Sequence, residues 1–460
     1  MNPVFRRLFT AQAIALVGTG LTTVALTLLA YDLAQENAGV VVGTALAFKM
    51  VAYVVFAPVI GGIAHRFPRK PLLISLDIAR ALVVLAMPFV TAVWQIYLLI
   101  FLLNLFSAGF KPVFAATIPE VLPDEKQYTK ALAYSRLAYD LENLLSPTLA
   151  ALALLVFSYT GLFVANSVAF VISAALILAS WLPVAMPQDR LGGLWGEISF
   201  GLKAYMRTPR LRALLTLYMA VACASAMVIV NTVIYVKELW GGSDTQVASA
   251  FAAAGFGSML AALLTPRILE RIGDRQVMVA GAFVMGCGVL GIFIQPDLNQ
   301  LLTVWFVIGF GWSLVQTPAG RVVNRSAGGS DRSAYFSAQF ALSHACWLVA
   351  YPVAGQLGAW LGVPGAALVM GGAIMVFASF ALLFWPADAS AELEHEHAAY
   401  EHQHLHTHEQ HHQHEHTGDE GPEPHRHPHR HSPLKHSHTF HIDDHHPRWP
   451  EQNSVGQGAG

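Results

Sequence analysis

The sequence predicts an all-α membrane protein of twelve transmembrane helices in two six-helix repeats, followed by a disordered cytoplasmic tail. Three observations support this prediction: an apolar composition, regularly spaced apolar segments, and a distance that recurs between separate landmarks. Of the 460 residues, 55% are hydrophobic and 12% are charged, whereas soluble proteins have about 25% charged residues. The mean hydropathy is +0.48. This composition is typical of a chain embedded in a lipid bilayer.

Apolar segments long enough to cross a bilayer, which takes about 20 residues, recur along the chain. Twelve of them lie near 8–31, 40–62, 72–93, 95–116, 131–157, 162–184, 213–237, 247–266, 277–296, 300–322, 334–358 and 362–385. If these segments alternate in direction, eighteen Lys and Arg residues fall in loops on one side and only Lys237 on the other. Because cytoplasmic loops are enriched in Lys and Arg, we predict a bacterial-type inner-membrane protein with both termini in the cytoplasm.

One distance recurs between landmarks and indicates an internal repeat. The loops at 61–70 and 266–275 begin 205 residues apart, and so do Pro147 and Pro352. Parallel repeats of this kind occur in transporters. We therefore predict four parts, which are a six-helix half at 1–185, a cytoplasmic linker at 186–212, a second six-helix half at 213–387, and a His-rich tail at 388–460.

The repeated loop carries a family resemblance. Its first copy reads Gly61-Gly62-Ile63-Ala64-His65-Arg66-Phe67-Pro68-Arg69-Lys70, which resembles the loop after helix 2 of the major facilitator superfamily. The resemblance implies alternating access by rocking of the two halves, with this loop gating the cytoplasmic side through acid–Arg pairing. The implied gating residues are Gly61, His65, Arg66 and Arg69 in the first copy, and Glu270 and Arg271 in the second.

The loop also departs from the family pattern, and other segments refine the likeness. His65 stands where the family has an acid and Pro68 where it has Gly, whereas the second copy keeps its acid at Glu270. The stretch PVFAATIP at 112–119 resembles the drug-exporter branch related to macrolide efflux proteins. With its His-rich tail, the chain as a whole resembles the NreB-type nickel-resistance exporters.

Ionisable residues inside the predicted spans are candidates for proton coupling, because charges in a membrane are costly and usually functional. In the fifth span, Arg136 and Asp140 are four residues apart and share a helix face, while Glu142 points roughly the other way. Asp140 or Glu142 is the predicted proton carrier. The alternative is that Arg136 lies at the cytoplasmic end of the helix and Asp140 merely pairs with it.

Two further intramembrane sites are predicted from single residues and their spacing. Asp77 and Arg80 are three residues apart in the third span, which favours a structural ion pair over a role in coupling. His344 aligns with Tyr139 at the offset of 205 residues. A lone His in a membrane is either a satisfied core residue or a ligand or proton carrier, and we favour the functional interpretation.

The tail concentrates one residue type, since 19 of the 21 His lie between His395 and His446. Neutral imidazole suits Ni, Cu, Zn and Co. The tail has few aliphatic residues to bury, so we predict a disordered arm with several exchangeable metal sites. The alternatives are a passive metal buffer or a pH-sensitive spacer. The predicted metal ligands are His395, His397, His402, His404, His406, His408, His411, His412, His414, His416, His425, His427, His429, His431, His436 and His438.

No GxxxxGK[ST] nucleotide loop is present, so the proton gradient is the expected driving force. The hypothesis is a transporter and not an enzyme, which exports Ni(II), or Co(II) or Zn(II), in exchange for protons and thereby confers metal resistance. It requires no cofactor beyond the metal cargo, binds no nucleic acid, and works as a monomer in the lipid bilayer. The alternative is an exporter of a hydrophobic, macrolide-like drug whose tail buffers metal or regulates transport. A third possibility is a metal buffer or sensor anchored by the membrane body.

Overall fold

Twelve α-helices follow one another in the part of the chain that the structure, a computed structural model, describes: residues 2–183, 193–328, 331–386, 392–397, 400–406, 425–431, 434–442 and 449. The first six helices are α1 (Pro3–Ala34), α2 (Ala38–Ile63), α3 (Arg69–Ala86), α4 (Val93–Val121), α5 (Glu125–Leu154) and α6 (Tyr159–Leu178). The others are α7 (Gly193–Arg207), α8 (Pro209–Ile234), α9 (Asp244–Ile268), α10 (Asp274–Gly291), α11 (Leu298–Ser326) and α12 (Arg332–Phe384).

The all-helical membrane fold is confirmed, with differences in how the helices divide. Ten helices in the described residues are long and apolar enough to cross a membrane. Helix α5 is not among them, because its interior carries charged residues, and α7 lies in the predicted linker. The predicted spans 334–358 and 362–385 lie on either side of a kink in α12, which therefore consists of two successive helices. Gly362, with φ of 69°, interrupts that helix, a conformation that glycine adopts without steric cost.

The repeat distance reappears in the helix bounds. Helix α10 begins and ends 205 residues after α3, and α11 begins and ends 205 residues after α4. We call α1–α6 the N-terminal bundle and α8–α12 the C-terminal bundle. The bundles meet along two pairs of helices, α2 with α12 and α5 with α9.

The short helix α7 connects the bundles at one end, because it packs against both α2 and α12. Glycines make these approaches possible. A Cβ at Gly62 would lie 2.7 Å from Cα of Ile198 in α7. At Gly61, a Cβ would collide with the side chain of Ser337 in α12, and at Gly201 with the carbonyl oxygen of Ala334. The linker is therefore part of the bundle interface.

Polar side chains set the first turn of several helices. Asp124 precedes α5 and accepts a hydrogen bond from the backbone N–H of Gln127 at 2.9 Å. Before α11, Asp297 accepts from the N–H of Gln300, whose side-chain oxygen accepts from the N–H of Asp297, both at 3.0 Å. Such reciprocal bonds satisfy N–H groups that have no partner within the helix. They explain why α5 and α11 begin where they do.

The tail departs from the predicted disorder in four short segments. Strand β1 (Glu392–His397) pairs antiparallel with β4 (Leu434–Thr439), and β2 (Tyr400–His406) with β3 (His425–His431). In these segments His alternates with other residues at the period of two that strands have. The sequence argument had considered only the lack of aliphatic residues. The predicted ligands His408, His411, His412, His414 and His416 lie outside the described residues.

Candidate functional site

Interbundle ion pairs close one end of the structure. We call it the basic end; it carries the α2–α3 loop, the α4–α5 loop, α7 and the N-terminus of α10. Arg332 of α12 contacts Glu120 of α4, with 3.4 Å between Nη1 and Oε1. Arg325 and Arg321 of α11 contact Glu125 of α5, at 2.5 Å and 3.3 Å. These three pairs join the C-terminal bundle to the N-terminal bundle across the gap between them.

A second acid anchors the same two arginines from within the C-terminal bundle. Asp274, the first residue of α10, lies 2.6 Å from Arg325 and 3.3 Å from Arg321. Arg321 also donates a hydrogen bond to the hydroxyl of Thr129 at 2.8 Å. Burial alone would raise the pKa of Glu125, but the hydrogen bond and charge of Arg325 hold that pKa below its ordinary value. Arg325 thus favours the ionised form of Glu125 and the ion pair between the bundles.

Three of the predicted gating residues pair with acidic side chains of other helices. Arg66 forms a two-pronged pair with Glu197 of α7, at 2.6 Å and 2.8 Å, and His65 lies 3.8 Å from the same carboxylate. Arg69 lies 2.5 Å from Glu120. The acid that the loop lacks at position 65 is thus supplied by α7 and α4.

The other predicted gating residues have different surroundings. Gly61 allows α2 to approach α12, as described above. Glu270 and Arg271 are exposed, and within the described residues neither has an ion pair or a side-chain hydrogen bond. Asp274, a few residues further along, carries the acid function in this copy of the loop. Spacing within the motif alone did not distinguish it from Glu270.

The predicted pair in α5 forms and reaches across to the C-terminal bundle. Arg136 and Asp140 are joined at 2.7 Å between Nη2 and Oδ1. Ser258 of α9 donates to Asp140 at 2.6 Å, and Arg136 donates to Gln316 of α11 at 2.7 Å. Asp140 is 5% exposed. Its carboxylate is therefore enclosed and fully hydrogen-bonded, with partners from both bundles.

Close by, a second set of charges lacks such partners. Lys111 of α4 donates to the Tyr53 hydroxyl at 3.0 Å and lies 4.9 Å from the centre of its ring. Lys49 of α2 lies 5.9 Å from the same ring centre. Glu142 of α5 is within electrostatic range of both lysines. Among the described residues, none of these three charged groups forms an ion pair.

An aromatic group from α12 completes this region. The His344 ring packs edge-to-face on Tyr53, with centroids 4.8 Å apart, and lies 4.2 Å from the Phe340 ring. His344 Nδ1 is 2.7 Å from the Phe340 carbonyl oxygen. A carbonyl can only accept, so Nδ1 carries the proton and, in the neutral ring, Nε2 is an acceptor. We call Lys49, Tyr53, Lys111, Glu142 and His344 the central site.

Asp77 and Arg80 form a buried pair inside the N-terminal bundle. Asp77 is 0% exposed and Arg80 is 4% exposed; the two are in direct contact. Ser173 of α6 donates to Asp77 at 2.8 Å, and the guanidinium lies 3.9 Å from the ring centre of Phe110. The pair holds α3 to α4 and α6, which favours the structural interpretation over proton coupling.

The described residues contain no group of three or more His, Cys, Asp or Glu side chains placed to hold a metal ion. The sulfur atoms of α8 do not alter this. Cys223 and Met227 are buried in the apolar core, and Met227 accepts a hydrogen bond from Asn231 at 3.5 Å. Packing accounts for their positions.

Comparison with known proteins assigns this architecture to a family. The family model of the Major Facilitator Superfamily matches residues 8–236 and also 214–407. The chain belongs to the major facilitator superfamily. It is therefore an integral membrane transporter, as the repeated loop indicated. The narrower resemblance to nickel-resistance exporters stays a prediction.

Individual superfamily members share parts of this chain. An uncharacterized MFS-type transporter of Bacillus subtilis, YfiS, is 26% identical over 335 residues, which is 69% of this chain and 78% of YfiS. Macrolide efflux protein A of Streptococcus pyogenes is 26% identical over 229 residues, or 47% of this chain and 55% of that protein. The Enterococcus faecalis protein of the same name is 28% identical over 196 residues, or 39% of this chain and 60% of that protein.

Two solved structures share the superfamily fold. The human organic anion transporter MFSD10 has a TM-score of 0.72 and 14% identity, covering 82% of this chain and 98% of its own. The E. coli fucose:proton symporter has a TM-score of 0.63, also at 14% identity and with the same coverage of both chains. At this level of identity the likeness is one of fold.

Proposed function

We propose that the chain exports amphipathic organic molecules that carry an acidic group, in exchange for protons. The central site is the observation that supports this. There, the ammonium groups of Lys49 and Lys111 lie against the Tyr53 ring, and no carboxylate of the described residues forms an ion pair with either of them. Unpaired ammonium groups are costly within a membrane. A ligand carboxylate between them would supply the missing partner, and the Phe340 and His344 rings would pack against its apolar body.

The charge balance of the site favours an anion over a metal cation. The two ion pairs of α5 and α3 are each neutral. Lys49 and Lys111 outweigh Glu142, which leaves a formal excess of one positive charge. A divalent cation would be repelled there, and it would need a set of several oxygen, nitrogen or sulfur ligands. No such set occurs among the described residues.

The efflux direction is supported by the relatives and by the loop charges. Two of the similar proteins are named macrolide efflux proteins, so export of organic molecules occurs among this chain's relatives. The basic end holds the loops that the Lys and Arg distribution assigns to the cytoplasm. We propose that substrate enters from this end when its ion pairs separate, and leaves at the other end in the closed arrangement described above.

Glu142 is the residue we propose for proton coupling. Asp140 is held by Arg136 and Ser258, so protonation would break several hydrogen bonds. Glu142 has no ion pair among the described residues, yet both central-site lysines act on it electrostatically. The two lysines favour the ionised form of Glu142, so a proton carried inward on Glu142 would be released when the empty site faces the basic end. The substrate anion would then bind beside the lysines, and one proton would be exchanged for one substrate.

Export of Ni(II), with Co(II) or Zn(II) as other cargoes, is a second candidate, and the tail favours it. The 19 tail His represent a large capacity for divalent ions. In that case the tail would raise the local metal concentration at the basic end. The transport path would then have to avoid the lysines of the central site, which is why we place this function second.

Accumulation assays in intact cells separate the two candidates. Cells expressing the full chain, a chain lacking residues 388–460, or no transporter are loaded with carboxyfluorescein as an organic anion, ethidium as an organic cation, or Ni(II). We expect the full chain and the truncated chain to lower carboxyfluorescein alone, and a protonophore to restore its level. A Lys111→Met chain serves as the matched control and should lose this effect.

Other outcomes have definite meanings. If nickel falls while both dyes stay unchanged, the second candidate replaces the first. If ethidium falls and carboxyfluorescein does not, the substrate is an organic cation and the charge argument for the central site is wrong. If a protonophore has no effect on carboxyfluorescein export, proton coupling through Glu142 is excluded.

A further inference from the structure

The end of the His-rich tail is docked on the C-terminal bundle. Phe440 and Ile442 are each 2% exposed, and both belong to the apolar core of that bundle. The Tyr335 hydroxyl of α12 donates to the backbone carbonyl of Ile442 at 3.0 Å. Trp449 packs edge-to-face on Phe440, with centroids 5.0 Å apart. A segment placed after fifty residues of mostly polar tail thus has a specific, buried seat.

The residues that hold the docked segment also contact the interbundle ion pairs of the basic end, which we call the gate. The Arg210 guanidinium lies 5.6 Å from the Trp449 ring centre, an approach that favours cation–π attraction. Arg210 also donates to the Ser326 hydroxyl at 2.7 Å and to the Arg325 carbonyl oxygen at 2.6 Å. The side chain of Arg325 in turn holds Glu125 across the bundle interface. One arginine therefore links the docked segment to the residue that closes the basic end.

The tail is attached at both ends. At its start, Trp385 follows α12 and is 4% exposed in the same apolar core. At its end, the docked residues return to that core. Trp385 and the docked residues therefore lie in one apolar core, and the end of the tail cannot move away unless Phe440, Ile442 and Trp449 leave it.

We propose that the end of the tail is a latch: its C-terminal segment, seated on Tyr335 and Arg210, holds the basic end closed. Because the segment is tethered to the end of α12, its effective concentration at the seat is high, and it can rebind without a partner protein. The latch is independent of which molecule is transported.

Thiol accessibility in the purified full chain tests the latch directly. In a Cys287→Ser background, Ile442→Cys places a thiol in the seat, and its rate of reaction with a maleimide reports undocking. The buried Cys223 and Cys346 remain in the same chain, and their lack of reaction shows that it is folded. We expect Trp449→Ala to raise the Cys labelling rate at position 442 by about tenfold, equivalent to about 1.4 kcal/mol. Equal labelling rates with and without Trp449→Ala would show that the segment is not docked.

The link to the gate has its own measurement. Thr129 is 2% exposed behind Arg321, so a Thr129→Cys thiol in the Cys287→Ser background reports opening of the basic end. We expect Trp449→Ala to raise its labelling rate relative to the chain with an intact tail. A docked segment whose removal leaves this rate unchanged would overturn the proposed restraint on the gate. None of these readouts requires a transport substrate, so they succeed or fail independently of the proposed function.

Discussion

Charges at the basic end and charges in the central site have opposite surroundings in the same fold. At the basic end, Arg321 and Arg325 each contact two carboxylates, from Glu125 and Asp274. In the central site, two lysines share one aromatic ring, and no carboxylate of the described residues forms an ion pair with either of them. The charged side chains of the basic end are paired within the protein, whereas those of the central site can pair with a ligand.

This difference separates two roles that the sequence alone could not distinguish. A charge whose partners all lie within the protein contributes to structure or to a gate, and its removal should change stability or opening. A charge without a partner in a membrane is most readily explained by a ligand or a proton. Removal of such a charge should change transport and leave the folded state intact. Substitutions of both kinds test the distinction.

The largest effect on stability is expected at the buried pair of the N-terminal bundle. Asp77→Asn leaves Arg80 charged, 4% exposed and without a carboxylate, and breaking such a pair costs about 3–5 kcal/mol. We expect a markedly lower melting temperature in detergent. The control is Asp77→Leu with Arg80→Met, which removes both charges and should recover much of the loss. A melting temperature unaffected by Asp77→Asn would contradict the structural role.

The largest effect on transport alone is expected at Glu142. Glu142→Gln is similar in size but cannot exchange a proton, so gradient-driven efflux should fall about 100-fold, equivalent to about 2.7 kcal/mol. Counterflow between labelled and unlabelled substrate, which needs no net proton movement, should persist in reconstituted vesicles. Loss of counterflow and efflux together would show that Glu142 serves substrate binding or folding. Retained gradient-driven efflux would exclude it as the proton carrier.

A smaller, charge-selective effect is expected at Lys111. A hydrogen bond to a charged group contributes about 1.5–3 kcal/mol, so Lys111→Met should weaken binding of an organic anion by about tenfold or more. Ethidium, which lacks an acidic group, provides the comparison and should bind no more weakly. A melting temperature close to that of the parent chain would confirm that the lysine is not part of the structural framework. Equal losses of binding affinity for the anion and the cation would show that the effect does not depend on the charge of the substrate.

Sequence reasoning anticipated features that depend on local spacing. The four-residue step between Arg136 and Asp140 and the three-residue step between Asp77 and Arg80 both correspond to ion pairs in the structure. The twelve apolar segments follow from composition and length. In α12, the two predicted segments lie on either side of Gly362, whose non-helical backbone separates the two helices.

Features that depend on partners from distant helices were missed. Glu197 lies 131 residues from Arg66, and Glu120 lies 212 residues from Arg332. Nothing in a single sequence indicates that such residues meet, since any exposed acid is an equal candidate before the helices pack. The docking of Phe440 was missed for a related reason. Its apolar character was outweighed by the surrounding polar tail, although an isolated aromatic residue in such a segment is a usable signal.

The smallest effect is expected at the half-exposed gate acid. The Glu125 side chain is 46% exposed, and ion pairs in contact with water contribute only about 0.2–1 kcal/mol each. Asp274 retains both arginines when Glu125→Gln removes the interbundle contact. We therefore expect labelling of Thr129→Cys to rise only about two- to fivefold.

The lowered pKa of Glu125 predicts in which pH range the basic end should open. The pKa of Glu125 is held below its ordinary value, so its contribution to the closed gate is present above that ordinary value, about 4.3, and is lost only as pH falls through the lowered pKa. Labelling of Thr129→Cys should consequently be the same from about pH 8 to pH 5, after correction for maleimide reactivity, with Glu125→Gln as the fully uncharged reference. Opening that begins between pH 7 and pH 6 would place the titrating group elsewhere, with His65 beside Glu197 as the first residue to replace.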